Sequence, residues 1–380
     1  QGLQRARATS PLWPLAACRL VRSTCKEALG RPSPTLLILE PTLSCNSRCP
    51  ACYNKENLNR PGAALDLSEL RRIASGLPDL TVLELSGGEP FLYPNLPELL
   101  RIFAESTPVR FVAVPTNGLL PKVIEETTRR LCEEFQGFLG VQLSIDGIGS
   151  AHDAIRGVEG NFAALCETYG RLSSLKRLYP NLRLSANTCV SAPNRESYRE
   201  VMEWVARHLP DVEGHSLSLV RGPGSAALGF EGAAFTDEEF AALAEAASTA
   251  KGYRLGFLGR LNSLFWRAYY AEAQDFRKGA ARRWTCSAGA GALYIDALGG
   301  VHACELRPPF ASLRTEGASL SELLRSAAAK NERREIAARR CSCDHACFMQ
   351  HSAYSKAANL YFWRNGLRRP RRHGGRDAAG

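Results

Sequence analysis

From residue 35 to about residue 225, short apolar runs alternate with longer stretches whose apolar positions recur at helical spacing. The short runs predict strands over 35–40, 81–85, 110–114, 139–145, 182–190 and 215–220. The stretches between them predict helices over 67–77, 96–104, 122–135, 162–178 and 196–209. Asp66 followed by Glu69 marks the first helix start as a capping box. The strands read as apolar on both faces, which places them in a parallel sheet covered by the intervening helices. Six such units predict an α/β fold, a partial (β/α)6 TIM-like barrel. Reactive groups in such folds collect at the carboxyl ends of the strands.

The polar motifs fall at those ends. Ser44-Cys45-Asn46-Ser47-Arg48-Cys49-Pro50-Ala51-Cys52-Tyr53 follows the first strand, and Ser86-Gly87-Gly88-Glu89-Pro90 follows the second. Pro115-Thr116-Asn117-Gly118 follows the third. Ser144-Ile145-Asp146-Gly147 closes the fourth, with Arg156 soon after. Asn187 lies late in the fifth, and Arg221-Gly222 follows the sixth.

The pattern then changes. Residues 226–284 read as a helical connector carrying Phe265, Trp266, Tyr269 and Tyr270 at helical spacing. Core packing is the first reading of that stripe, and a channel lining is the second. Cys286 precedes a hairpin predicted over 292–296 and 301–304, turned at Gly299-Gly300, and Cys304 ends it. A helix over 319–337 leads to Cys341-Ser342-Cys343-Asp344-His345-Ala346-Cys347. The expected division is a basic extension (1–34), the barrel (35–225), the connector (226–284), a small α+β domain with a hairpin (285–350) and a basic tail (351–380).

The spacing C-x3-C-x2-C of Cys45, Cys49 and Cys52 carries the chemistry. Three thiolates on one loop can hold three irons of a [4Fe–4S] cube and leave the fourth open to a small molecule. Zinc with a distant fourth ligand is the alternative. Eight of the thirteen cysteines fall in the two groups, and no signal-like segment or disulfide framework is visible. This points to reduced thiols in a cytoplasm. Cys18, Cys25, Cys132, Cys166 and Cys189 read as buried small apolar residues.

The net charge of +10 is confined to the ends. Residues 1–33 and 364–380 each carry six Lys/Arg against one acid, so the middle sums to zero. A nucleic-acid face on the folded body is therefore not expected, although the arginine-rich ends leave RNA modification as an alternative. No run reaches the ~18 apolar residues of a membrane span.

Taken together, the cysteine loop, Gly87-Gly88-Glu89-Pro90 and the rim motifs resemble the radical S-adenosylmethionine (SAM) superfamily. One departure is Ala51, where an aromatic residue is usual; Tyr53 stands one step on. In that family SAM chelates the open iron and is split reductively to methionine and a 5′-deoxyadenosyl radical, which abstracts hydrogen from substrate. The resemblance implies that Gly87, Gly88 and Glu89 contact the methionyl amine, with the glycines allowing close approach to the ligand. It also implies that Ser144, Asp146 and Arg156 hold the ribose and carboxylate, Arg156 pairing with the latter. Thr116 and Asn117 shape the floor, Asn187 reaches the adenosine, and Tyr53 covers the adenine side through its backbone. For the polar residues ordinary turn chemistry is the alternative.

The order Cys, hairpin, Cys, helix, Cys cluster, with Tyr294-Ile295-Asp296 and Gly300-Val301 before Cys304, resembles the auxiliary-cluster region called SPASM or, shortened, twitch. Five cysteines suit the twitch form with one auxiliary [4Fe–4S] cluster. The expected ligands are Cys286, Cys304, Cys343 and Cys347, with Cys341 as competitor and His345 as an exposed loop residue. A zinc ribbon is the alternative.

The implied substrate is a peptide or small metabolite undergoing oxidation, crosslinking or epimerisation. The implied partner is a one-electron reductant of flavodoxin or ferredoxin type. With 44 residues ahead of Cys45, a separate peptide-recognition protein is expected for a peptide substrate. A non-catalytic iron–sulfur or zinc scaffold is a further alternative.

Overall fold

The computed structural model describes residues 26, 31–220, 236–249, 257–277, 284–315, 317–338 and 345–355. Its strands are β1 (Leu36–Leu39), β2 (Val82–Leu85), β3 (Phe111–Thr116), β4 (Phe138–Ser144), β5 (Leu182–Val190), β6 (Gly214–Leu219), β7 (Ala292–Ile295), β8 (Gly300–His302) and β9 (Ala311–Ser312). They form one sheet in the order β6-β5-β4-β3-β2-β1-β7-β8-β9. Strands β1 to β6 are parallel neighbours in chain order, and among the described residues hydrogen bonds do not close the sheet. The expected six-unit partial barrel is present.

The helices are α1 (Leu67–Ser75), α2 (Leu96–Ser106), α3 (Pro121–Glu134), α4 (Ser150–Arg156), α5 (Asn161–Leu178), α6 (Tyr198–His208), α7 (Asp237–Thr249), α8 (Phe257–Arg277), α9 (Leu320–Leu323), α10 (Ala327–Ala337) and α11 (Ala346–Ser355). Asp66 caps α1 as its sequence foretold: its side chain accepts from Glu69 N (2.8 Å), and Glu69 accepts from Asp66 N (2.8 Å). The single helix expected over 319–337 is two, because Ser326 opens a second N-terminus and bonds Ala329 N (3.1 Å).

One sheet face is apolar and covered. Leu37, Leu83, Val112, Val141 and Leu184 pack against Leu70, Phe103, Leu131 and Leu172 of α1, α2, α3 and α5. Each such side chain contributes about 1.5–3 kcal/mol by leaving water. Strand β1 is apolar and buried on both faces as expected, whereas β5 departs from that expectation. In β5, Leu182, Leu184, Ala186, Thr188 and Val190 are buried, while Arg183, Ser185, Asn187 and Cys189 between them are half-exposed. The period of two is that of a strand with one wet face.

The aromatic stripe is core. Phe265, Tyr269 and Tyr270 of α8 are buried with Val190, Leu217 and Leu219. The Tyr270 hydroxyl also donates to the Leu217 carbonyl (2.7 Å) of β6, tying α8 to that strand.

At the opposite end β7 joins β1 in parallel, Leu36 opposite Ala292 and Leu39 opposite Ile295. Strands β8 and β9 follow antiparallel, so the expected hairpin extends the barrel sheet. Among the described residues, no helix is long and apolar enough to cross a membrane. Both basic ends, from residue 1 to 25 and beyond 355, lie outside the described residues, as do Arg221 and Gly222.

Candidate active site

The cysteine loop leaves β1 and is clamped by its neighbours. Asn59 acts as a surrogate strand for Cys45: its Oδ1 accepts from Cys45 N (2.9 Å) and its Nδ2 donates to Cys45 O (3.1 Å). Asn59 sits at φ +60°, a left-handed conformation that Asn tolerates better than most residues. Ser47 N points at the Cys45 sulfur (3.4 Å), and Cys52 N bonds Cys49 O (3.2 Å). All three thiols are half-buried. Burial raises the Cys45 thiol and pushes Cys52 up to about 11; Cys49 adds to both shifts, and Cys45 adds to that of Cys52. The three sulfurs therefore share one electrostatic neighbourhood.

The glycine pair has a role that the sequence reading placed elsewhere. Gly88 N donates to Thr42 O (3.0 Å), and Glu89 N donates to Ser44 O (2.8 Å). A Cβ on Gly88 would stand 2.1 Å from Ser44 O, and one on Gly87 2.4 Å from Thr42 O. Gly87 is also at φ +101°. What approaches these glycines closely is the backbone that delivers Cys45.

Glu89 is 2% exposed. It accepts from Asn117 N (2.7 Å) and Phe91 N (3.3 Å), yet burial still raises its carboxyl to about 7. Asn117 donates to Asn46 of the cysteine loop (2.8 Å), and Thr116 Oγ1 accepts from Gly118 N (3.1 Å). The second and third rim motifs thus brace the first.

Asp146 and Arg156 form a buried ion pair (2.8 Å). Asp146 also accepts from Cys189 N (2.8 Å), and its own N bonds His152 Nδ1 (3.2 Å). Arg156 Nη1 lies 3.9 Å from the Cys49 sulfur, and Arg156 O accepts from Arg48 N (3.1 Å). The carboxylate that Arg156 meets here is Asp146. Its Nε is buried without a hydrogen-bond partner, which leaves one donor for an incoming acceptor. Ser144 and Asn187 stand opposite each other on β4 and β5. Asn187 bonds Ser218 (3.0 Å) and Ser216 (2.9 Å) of β6.

Tyr53 points its hydroxyl away from the loop, donating to Glu40 (3.0 Å) and sharing a bond with Ser86 (2.8 Å). Glu40 also accepts from Asn54 (2.7 Å) and from Tyr294 of β7. Burial raises Glu40 to about 7. This network ties the cysteine loop to the C-terminal strands, and nothing in the local sequence around Glu40 announced it.

Cys304 is 7% exposed in a small core with Ile38, Tyr294 and Phe348, and half-buried Cys286 and Cys347 pack against that core. Ala288 N and Leu306 N point at the Cys286 and Cys304 sulfurs (3.4 and 3.5 Å). Cys347 donates to Glu84 of β2. Cys341 and Cys343 lie outside the described residues. The expected exposed His345 is instead 1% exposed: it bonds Glu305, and its ring stands near-perpendicular to that of Phe348 with the centres 4.9 Å apart. Its position just ahead of α11 turns it inward. Cys189 likewise departs from the buried apolar reading and stands half-exposed beside Asp146.

Among the described residues, no three His, Cys, Asp or Glu side chains converge as ligands of one metal ion would. The thiols of an iron–sulfur cube bind separate irons and stand further apart. Soft sulfur donors, backbone N–H groups aimed at sulfur and a guanidinium beside Cys49 fit such a cube.

The family model described as Radical SAM superfamily matches residues 39–205. The antilisterial bacteriocin subtilosin biosynthesis protein AlbA of Bacillus subtilis is 32% identical over 145 residues, 37% of this chain and 31% of AlbA. An AdoMet-dependent heme synthase of Methanosarcina barkeri is 28% identical over 193 residues, 50% of this chain and 51% of the synthase. The chain thus spans between about a third and a half of these relatives' lengths. Streptococcus suis SuiB bound to its precursor peptide SuiA shares the fold with a TM-score of 0.58 at 13% identity, over 93% of this chain and 82% of SuiB. Residues 39–205 are a radical SAM domain.

Proposed function

We propose that this enzyme cleaves SAM reductively and abstracts hydrogen from a peptide or small-metabolite substrate, leading to oxidation, crosslinking or epimerisation. The observation that carries the reading is the braced loop. Cys45, Cys49 and Cys52 are held by Asn59, by the glycine pair and by Asn117, and Arg156 stands beside Cys49. When bound, the cluster supplies the electron that splits the sulfonium, and SAM supplies the hydrogen-abstracting radical.

The chain's own residues do the positioning. Cys45, Cys49 and Cys52 would ligate three irons of the cube. Gly87, Gly88, Glu89, Thr116 and Asn117 fix the loop and offer acceptors for an ammonium group. Asp146 keeps Arg156 charged and oriented, and the open Nε of Arg156 suits a carboxylate oxygen. Ser144, Asn187 and the backbone around Tyr53 are the remaining contacts assigned to SAM. Cys286, Cys304 and Cys347, completed by Cys341 or Cys343, would hold one auxiliary [4Fe–4S] cluster.

Peptide substrates are supported by the bacteriocin-biosynthesis relative and by the peptide-bound fold neighbour; the heme synthase relative supports a small molecule. A cytoplasmic setting, a flavodoxin- or ferredoxin-type reductant and a separate peptide-recognition protein complete the proposal. The test is anaerobic reconstitution. The reading expects about eight irons per chain in two cubes and 5′-deoxyadenosine on reduction with SAM. Changing Cys45, Cys49 and Cys52 to Ala should halve the iron and abolish the nucleoside. A preparation that binds zinc and stays inert with SAM would support the scaffold alternative instead.

A further inference from the structure

The inner sheet face, opposite the covering helices, is ordered in rows by the strand register. The lowest row runs Glu84, Ala113, Gly140 and Arg183 across β2 to β5. The next runs Pro115, Gln142, Ser185 and Gly214 across β3 to β6, and the third Ser144, Asn187 and Ser216. Cys189 and Ser218 lie above them. Under β1 and β2 the C-terminal core covers this face: Ile38 and Val82 pack with Cys304 and Phe348. Gln142 and Ser185 stay half-exposed.

These rows differ from the interior of a filled barrel, which is packed with Val, Ile and Leu. In the lowest row the Phe111 ring lies over Gly140, whereas in the second and third rows Pro115 and Gly214 flank amide and hydroxyl side chains. Asn187 donates to Ser218 and accepts from Ser216, so the third row is already ordered. Gln142 and Ser185, one row below the residues assigned to SAM, are adjacent across β4 and β5.

The charges on this face are equally informative. Glu84 belongs to its lowest row and Glu40 follows β1. Both cations near it are engaged. Arg156 is on Asp146. Arg183 reaches Glu213 (3.5 Å), the Pro180 carbonyl (2.7 Å) and the Phe138 ring (4.6 Å to its centre). An anion brought into a desolvated site needs a cation or several donors of its own. Apart from the Arg156 Nε assigned to the SAM carboxylate, both of these cations are committed to protein groups.

We infer that Gln142 and Ser185 form a substrate subsite that accepts uncharged amide or hydroxyl groups, as a peptide segment presents, and rejects anionic substrates such as nucleotide phosphates or tetrapyrrole carboxylates. This deepens the reading above and rests on it for the position of the reacting centre. The side-chain amide of Gln142 both donates and accepts, so it can pair with a peptide group or a side-chain amide. The Ser185 hydroxyl turns to suit either partner. A phosphate or propionate at Gln142 and Ser185 would meet an amide and a hydroxyl with no compensating charge.

The test needs no known substrate. Ser185→Cys is made in the full chain, reconstituted and loaded with SAM. It is treated with methanethiosulfonate reagents of matched size, one neutral and one carrying a sulfonate. Modification at position 185 is read by peptide mapping, and the ratio of the two rates is compared with that for free cysteine, which cancels the thiol's own reactivity. The anionic reagent should be at least about ten-fold slower than that reference ratio, the scale on which a cleft's field changes encounter rates. Gln142→Cys repeats the measurement if the first variant folds poorly.

Binding of GTP and of coproporphyrin III to the wild-type protein gives a second readout. Neither should saturate, and Gln142→Arg should increase GTP binding. An anionic reagent as fast as the neutral one, or saturable GTP or porphyrin binding that blocks modification at position 185, overturns the inference. None of these readouts uses SAM cleavage. A face that rejects anions in a protein that never releases 5′-deoxyadenosine sinks the enzyme reading and leaves the subsite standing.

Discussion

Replacing Gly88 with Ala separates two explanations of the Gly-Gly-Glu-Pro motif. If the glycines serve only the approach of SAM, the cluster-free protein should not notice a methyl group. The structure predicts that it will. The new Cβ would lie 2.1 Å from Ser44 O, against an ordinary contact of about 3.4 Å, so the two segments must part by roughly 1.3 Å. Such a shift stretches the bonds Gly88 N to Thr42 O (3.0 Å) and Glu89 N to Ser44 O (2.8 Å) beyond useful length. Two buried backbone bonds are worth about 1 kcal/mol each, and overpacking costs about 1–3 kcal/mol more. The expected loss is about 3–5 kcal/mol, a large share of the ~5–15 kcal/mol that holds a typical domain.

Urea unfolding of the cluster-free protein measures this directly. A parallel reconstitution should show iron lost from the first site, because Ser44 adjoins Cys45, and retained at the second. Wild-type stability in the cluster-free variant, with only SAM affinity reduced, would refute the backbone-contact explanation.

Three further outcomes follow from single contacts. Asp146→Asn removes the partner of a buried guanidinium and should destabilise the protein by about 3 kcal/mol in urea unfolding; a neutral result would mean that Arg156 has another buried partner. Tyr270→Phe loses the bond to Leu217 O and should cost about 1 kcal/mol, read as a lower urea midpoint at unchanged slope. His351 bonds Thr35 (2.8 Å) and Ser287 (2.7 Å), and burial lowers its ring from 6.5 to about 4. The unfolded chain therefore takes this proton first, and the stability held above pH 6.5 drains away as pH falls toward 4. By about pH 5 the loss from this one ring is about 2 kcal/mol, so His351→Gln should narrow the stability difference between pH 7.5 and pH 5 by about that amount (~2 kcal/mol). An unchanged difference would show that the ring is protonated in the fold.

Much of the barrel was legible because its signals are local. Asp66 and Glu69 mark a helix start within four residues, and each rim motif directly follows its own apolar run. The wet inner face was also written there: Leu182-Arg183-Leu184-Ser185-Ala186-Asn187 alternates strictly. The prior that parallel strands are buried on both faces hid it. What stayed illegible is non-local. The pairing of Leu36 with Ala292 joins segments some 250 residues apart, and no local pattern encodes it. The convergence of Tyr53, Asn54 and Tyr294 on Glu40, the inward turn of His345 onto Glu305 and the pairing of Arg156 with Asp146 depend on which segments the closed fold brings together. The glycine pair was noticed for its lack of side chains, but only the path of residues 42–44 shows what passes over it.

The central claim is that Cys45, Cys49 and Cys52 hold a cube with one iron free to bind SAM. The direct measurement is the electron paramagnetic resonance spectrum of the reduced Cys286→Ala/Cys304→Ala/Cys347→Ala protein, which isolates that cluster, recorded with and without SAM. The account predicts a [4Fe–4S]⁺ signal whose g-values shift when SAM is added and which disappears when Cys45, Cys49 and Cys52 are also replaced. Identical spectra with and without SAM would mean that no iron is open, and the proposed chemistry would have no starting point.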